Sequence, residues 1–252
     1  MHATPEPPSE TLPVEIVPVN SLVAFVLQEG DLTPGVFQMR DRAQAGTQGH
    51  KRLQRSRPEG YQTEVAVAFR LGGEEPPLEV RGRIDGLYAD QEPVILEEIK
   101  TTTLPLEAIS EGHNPLHWAQ AQCYAFMLAH QEGLTAVRVH LTYYQLDSRA
   151  EKTFERDFST AELESFFFGL VTAYLAWFRK VRARQAQRDQ SIKALDFPYV
   201  DYRPGQREMA VAVYKAIRDG ERLYVQAPTG VGKTIAALFP AVKAVGLGLA
   251  DK

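Results

Sequence analysis

Cysteine is almost absent from this 252-residue chain. Cys123 alone excludes an internal disulfide framework, a four-cysteine zinc site and an iron–sulfur cluster within the chain, and it fits a reducing, intracellular setting. Long apolar runs are missing too. None reaches the roughly 18–20 residues of a membrane span, and the N-terminus lacks the basic-then-apolar layout of a secretory signal, so the expected location is cytoplasmic with no membrane partner. Neither sign of charge dominates: 28 Lys+Arg against 32 Asp+Glu give a net charge of -4, which excludes a polycation that binds nucleic acid indiscriminately and confines any DNA contact to a local surface. No internal repeat or heptad array is present, which removes solenoids and coiled coils. What remains, 44% hydrophobic and 24% charged residues, is enough to bury a globular core, and the length allows one large domain or one domain plus part of another.

Five prolines (Pro5, Pro7, Pro8, Pro13, Pro18) in the first 18 residues, with little apolar periodicity, predict a flexible tail over 1–18. A helix follows from Asn20 through Glu29, breaks at Gly30 and Pro34, and resumes as a polar, basic helix to about Arg57 that carries His50. Three β-like runs come next, Tyr61 to Leu71, Leu78 to Tyr88 and Pro93 to Thr101, separated by Gly/Pro breakers and read as a meander of adjacent strands. Leu116 to Gln131 has helical spacing. Ala136 to Leu146 and Thr153 to Phe158 alternate as strands, and Thr160 opens as the N-cap of a long helix, aromatic to Phe178 and basic to Arg188. Beyond a polar junction, a helix near Pro204, a short strand Arg222 to Gln226, a glycine turn and another helix start a new α/β unit.

The glycine turn reads Ala227-Pro228-Thr229-Gly230-Val231-Gly232-Lys233-Thr234, a phosphate loop with alanine in place of its first glycine. A strand ending at Gln226 and a helix opening at Lys233 let backbone N–H groups converge on a phosphate. Lys233 would neutralise the β/γ-phosphates and Thr234 would hold Mg²⁺. With Asp201 to Glu208 upstream, the segment resembles the Q-motif region and phosphate loop of the XPD/DinG-like superfamily 2 helicases. That resemblance covers about the last 50 residues and implies that Gln206 reads adenine, that Thr229, Gly230, Gly232, Lys233 and Thr234 hold ATP with Mg²⁺, and that the motor is completed in a longer parent protein.

The second constellation is Gly82-Arg83-Ile84-Asp85-Gly86 on one strand and Ile95-Leu96-Glu97-Glu98-Ile99-Lys100 on the next. Two residues apart on a strand, Glu98 and Lys100 share a face, and Asp85 reaches the same spot from its neighbour. Two carboxylates beside an ammonium suit Mg²⁺ or Mn²⁺ and an attacking water, hence phosphodiester hydrolysis. Pro93 to Leu96 is continuously apolar, so the strand is internal and its charges are costly to bury without a metal or partners. Glu97 points to the opposite face and is structural.

Ala45 to His50 upstream and Gln120 to Tyr124 downstream flank these strands. The whole pattern resembles the RecB-like branch of the PD-(D/E)XK nucleases: a histidine after a glycine turn, the Gly-Arg-Ile-Asp strand, Glu-x-Lys, then Gln-x-x-x-Tyr, over about Val19 to Phe178. The resemblance implies His50, Asp85 and Glu98 as metal ligands, with the Ile99 carbonyl completing the set. It implies Lys100 acting on the water, and Gln120 and Tyr124 supporting the site or touching DNA. Glu64 matches an acidic position upstream of the catalytic strand. Trp118, Phe126 and Phe166 to Phe168 read as core. Two basic stretches, Met39 to Arg57 and Arg179 to Arg188, read as a phosphate-tracking groove or as exposed helix faces.

The expected fold is α/β: a restriction-endonuclease-like mixed β-sheet flanked by helices (19–190), followed by the first strand-loop-helix of a P-loop, RecA-like domain (191–252). The expected function is a metal-dependent deoxyribonuclease joined to an ATP-dependent helicase. The alternatives are a DNA-binding or loading module with an inert nuclease site, and an unrelated P-loop ATPase with a structural N-terminal domain.

Overall fold

The computed structural model describes residues 14–28, 39–73 and 77–250. Contacts divide the chain into two compact units, Met1–Tyr174 and Leu175–Lys252, with the division inside one long helix.

In the first unit the order is β1 (Glu15–Pro18), α1 (Val19–Leu27), α2 (Met39–Ser56), β2 (Gln62–Leu71), β3 (Leu78–Tyr88), β4 (Val94–Thr102), a 3-10 turn (Leu106–Ala108), α3 (Pro115–Glu132), β5 (Ala136–Gln145), β6 (Glu151–Ser159) and the start of α4 (Thr160–Ala194). Six strands form one mixed sheet among the described residues. β2 pairs antiparallel with β3 along nearly its whole length. The other edge of β3 is shared: β1 lies parallel to Leu78–Arg81, and β4 lies antiparallel to Gly86–Tyr88. Between them, Gly82 to Asp85 have no strand on that edge among the described residues, and β3 and β4 splay apart into a fork. β4 then runs parallel to β5 through all nine of its residues, Val94 to Thr102, and β5 is antiparallel to β6. The meander of β2, β3 and β4 and the internal position of β4 are as the sequence predicts.

The prediction of a flexible tail over 1–18 is corrected at its end. Residues 1–13 lie outside the described residues, but Glu15–Pro18 is strand β1, with the Glu15 N–H donating to the Pro77 carbonyl at 2.8 Å. Proline at the end of so short a strand loses no ladder bond that matters. The N-cap of α4 is Ser159 rather than Thr160. The Ser159 hydroxyl and N–H donate to Glu162 at 2.7 and 2.9 Å and the Glu162 N–H donates back to the serine oxygen at 3.3 Å, a reciprocal capping box. Thr160 is the first helical residue, and its hydroxyl donates to the Leu134 carbonyl.

The core sits between the sheet and α3, with Ile84, Leu96, Val139 and Leu141 of the sheet, Ala121, Ala125 and Met127 of α3 and Phe167 of α4 all buried. β4 sends alternate residues to two sides. Ile99 packs with Leu53 of α2 and Tyr144, whereas Lys100 faces Gln120 of α3. Trp118, Phe126 and Phe167 are buried as expected, while Phe168 is exposed.

The second unit holds the later turns of α4, then α5 (Gln206–Asp219) and α6 (Lys233–Gly246). Lys243 donates to the carbonyls of Ile192 and Lys193, capping α4 with a cation at its negative end. The expected strand Arg222 to Gln226 does not form. The segment is irregular, with Leu223, Tyr224 and Val225 exposed. A parallel strand needs a neighbour for its ladder, and among the described residues of this unit there is none.

Candidate active site

The fork between β3 and β4 is where the predicted residues converge. The last ladder pair is Gly86 with Glu97. One residue back along β3, Asp85 turns its carboxylate across the gap, and its Oδ2 accepts the Ile99 N–H at 2.8 Å. In a strand the N–H and C=O of one residue point to the same edge, so the Ile99 carbonyl opens onto the same notch. His50, Asp85, Glu98, Ile99, Lys100 and Gln120 line one cleft of about 330 Å³ there, together with His113, His117 and Tyr143.

His50 reaches the fork because α2 approaches β4 closely. A Cβ on Gly49 would sit 2.7 Å from Leu146 Cδ2 and 3.1 Å from Thr101 Cγ2. The glycines before His50 lie within the helix rather than in a turn. The helix gives up roughly 0.5–1 kcal/mol of propensity there and gains the approach. His50 Nδ1 stands 3.7 Å from Asp85 Oδ1.

Glu98 is 1% exposed. Its Oε1 lies 2.7 Å from Lys100 Nζ, and its Oε2 has no hydrogen-bond partner among the described residues. Burial, with the Asp85 charge adding to it against the pull of Lys100, pushes the Glu98 carboxyl up to about 8. Asp85 is also raised, chiefly by burial, despite the opposing effects of His50, the Ile99 N–H and Lys100. Lys100 Nζ donates to Gln120 Oε1 at 2.8 Å, and Gln120 Nε2 donates to the Tyr124 hydroxyl at 2.9 Å. The i, i+4 pair on α3 thus braces the lysine, and the Tyr124 ring in turn rests on β3 at Gly82. Any Cβ at Gly82 would fall 2.1 Å from that ring, so only glycine fits. Glu64 stands at the rim. Its backbone is left-handed (φ 57) within β2, and its carboxylate accepts from Gln54 Nε2 at 3.2 Å and lies 3.4 Å from Arg83.

The donor chemistry fits a divalent cation in part. Two carboxylates raised by burial and an unpartnered buried oxygen are what such an ion would relieve. Yet among the described residues no three His, Cys, Asp or Glu side chains converge as a cage. The expected trio of His50, Asp85 and Glu98 lines the cleft without closing such a cage, and Glu98 Oε1 faces Lys100.

On the other side of β4 lies a constellation the sequence reading did not assemble. Glu97 Oε1 accepts from Arg57 Nη2 at 2.5 Å and from Thr142 Oγ1 at 2.6 Å, and its Oε2 accepts from Arg57 Nε at 3.1 Å and Tyr61 at 2.7 Å. Arg57 also pairs with Glu151. Burial opposes its charge, but the bonds and charges of Glu97 and Glu151 outweigh that and hold its pKa above the ordinary arginine value. Arg57, read as a possible phosphate-tracking cation, is therefore structural.

In the second unit the glycine turn does take left-handed backbone at Gly230 and Gly232 (φ 85 and 79), and α6 opens at Lys233. Lys233 Nζ donates to the Ala227 and Pro228 carbonyls, Gln206 Nε2 donates to the Gly232 carbonyl at 3.3 Å, and Arg203 donates to Gly230. Gln206 is buried beside the loop, whereas Thr229 and Thr234 are exposed.

Comparison with known proteins gives two kinds of similarity. Short stretches resemble helicases: 58% identity over 40 residues to the ATP-dependent helicase DinG of Mycobacterium tuberculosis (16% of this chain, 6% of that protein). The ATP-dependent DNA helicase YoaA of Escherichia coli is 57% identical over 42 residues (17% and 7%), and the probable ATP-dependent helicase MJ0942 of Methanocaldococcus jannaschii is 46% identical over 46 (18% and 7%). The chain thus spans less than a tenth of the length of these curated relatives. Among solved structures, the crystal structure of SSO0001 aligns with 68% of this chain and 78% of that one, at 17% identity and a TM-score of 0.39. The profile of the PD-(D/E)XK nuclease superfamily matches residues 19–207, three quarters of the sequence and the whole of the fork, and the chain belongs to that superfamily.

Proposed function

We propose that the chain hydrolyses DNA phosphodiesters at the Asp85–Glu98–Lys100 cleft in a divalent-cation-dependent reaction, on single strands or ends. The observation that carries this reading is the Glu98 carboxylate, buried with one oxygen unpartnered beside a second carboxylate. Asp85, Glu98 and the Ile99 carbonyl would hold Mg²⁺ or Mn²⁺, with His50 beside them. The ion's chemistry there is to acidify bound water and offset charge developing on the phosphate. Lys100, held between Glu98 and Gln120, orients the attacking water, and Tyr124 keeps Gln120 in place. The water oxygen bonds to phosphorus as the bond to the departing nucleotide oxygen breaks. The proton released by the water balances the one the departing oxygen takes up.

Residues 191–252 belong, in this reading, to the ATP-binding domain of a helicase. The loop sequence, its two left-handed glycines, the bond from Gln206 to Gly232 and the short helicase similarities support it. Gln206 would read adenine, Lys233 the phosphates and Thr234 the Mg²⁺ of ATP, with Thr229, Gly230 and Gly232 lining the cradle.

The test is cleavage of end-labelled single-stranded DNA in Mg²⁺ or Mn²⁺. Unaltered protein should cut, and Asp85→Ala and Lys100→Ala should fall to background. Absence of cleavage by the unaltered protein, with weak Mn²⁺ binding by calorimetry, would overturn the nuclease reading in favour of an inert DNA-binding module.

A further inference from the structure

His117 and Tyr143 line the cleft and take no part in the reaction as drawn, and Asn114 is bonded to His117. Asn114 caps α3, and its Oδ1 accepts the Leu116 N–H at 3.0 Å. That bond fixes the orientation of the amide, so its Nδ2 faces His117 Nε2 at 3.1 Å. An amide nitrogen only donates. His117 Nε2 must therefore accept, which leaves the proton of the neutral ring on Nδ1. This tautomer is assigned from the bonding pattern. Burial, helped by Lys100 and His113, pushes the His117 pKa down to about 4, so the ring is neutral near pH 7.

His117 Nδ1 in turn donates to the Tyr143 hydroxyl at 2.8 Å. A hydroxyl that has accepted from a ring N–H keeps its own proton to give. Tyr143 is paired with Lys100 in the β4–β5 register, so the two side chains share one face of the sheet and line the same cleft. We infer that the Tyr143 hydroxyl donates a hydrogen bond to a non-bridging phosphate oxygen of the bound strand, and that Asn114 and His117 are positioning residues that keep this donor aimed. The inference rests on the nuclease reading above. It adds a neutral arm to the lining of the cleft, where Tyr143 is 2% exposed and a phosphate supplies an acceptor that no described residue offers its hydroxyl.

The experiment compares unaltered protein, Tyr143→Phe and Asn114→Asp on single-stranded DNA, at pH 8.5, with either an ordinary phosphate or a methylphosphonate one step from the cut. The methylphosphonate removes a charged acceptor oxygen. Aspartate caps a helix as well as asparagine does, so N114D keeps α3. It can only accept from His117, so it moves the ring proton to Nε2 and makes Nδ1 take the tyrosine's proton. Nitrogen-15 spectra should read Nδ1–H in the unaltered protein and Nε2–H in N114D. Both variants should lose about ten- to a hundredfold in kcat/KM on ordinary DNA, the scale of one hydrogen bond to a charged acceptor. Neither should lose further on the methylphosphonate strand, and both should melt within a few degrees of the unaltered protein. Cleavage by Y143F at the unaltered rate, or losses that multiply with the methylphosphonate effect, would overturn the phosphate contact while leaving the nuclease standing. Absence of cleavage by the unaltered protein would instead remove the nuclease reading and this arm with it.

Discussion

Glu97 and Glu98 are neighbours on β4, each 1% exposed, and their surroundings differ in every respect that matters to a buried carboxylate. Glu97 has both oxygens occupied by Arg57, Tyr61 and Thr142. Glu98 has one oxygen on Lys100 and the other on none of the described residues. A buried charge with all its partners is held in place by the fold, and removing one partner strands the rest. A buried charge left short of partners is a cost that persists where function uses it. The period-2 alternation of a strand is what lets two adjacent glutamates serve such different ends.

The largest effect that would sharpen this contrast is on activity. Glu98→Gln keeps the shape and an acceptor for Lys100 but removes the charge. It should lower cleavage by at least about a thousandfold, the scale of losing a principal electrostatic group, while leaving the urea midpoint unchanged or higher. A large fall in stability would break the contrast. Next, Glu97→Ala should leave Arg57 uncompensated and destabilise by about 3–5 kcal/mol in urea unfolding. A double-mutant cycle with Arg57→Ala should recover part of that loss.

The smallest effect is on pH dependence. Glu98 titrates near 8 in the folded protein against 4.5 for the ordinary group. Between those values the folded state holds more protons than the unfolded one, so this group's contribution to stability falls as pH rises from 4.5 to 8. Chemical unfolding in metal-free buffer should show a downward component in that window that Glu98→Gln removes, leaving the smaller contributions of Asp85 and His117. An unchanged slope in the variant would assign it elsewhere.

Local periodicity made the nuclease half readable. Strand alternation put Glu98 and Lys100 on one face, helical spacing put Gln120 and Tyr124 together, and the apolar run before Glu97 placed β4 inside the sheet. What depended on distant partners was not readable. Arg57 and Glu97 are 40 residues apart, and nothing local marks them as a pair. β1 escaped notice because four residues ending in proline take their register wholly from β3. The strand expected before the phosphate loop failed for the converse reason, since its residues carry strand propensity but no ladder partner among those described. The arm of Asn114, His117 and Tyr143 had one local sign, Asn-Pro-Leu-His at a helix start, in which the cap and the imidazole three residues on face each other.

The shared edge of β3 has a mechanical side. Because β1 and β4 each hold one end of that edge, Asp85 sits at the end of a short gap whose two sides are both held in ladders. Loops wander over nanoseconds to microseconds, whereas the rails of a sheet rattle about fixed positions. Asp85, Glu98 and Lys100 inherit that stiffness directly from the strands that bear them. On the proposed function, the site is a rigid die, and a bound strand is what must bend to fit it.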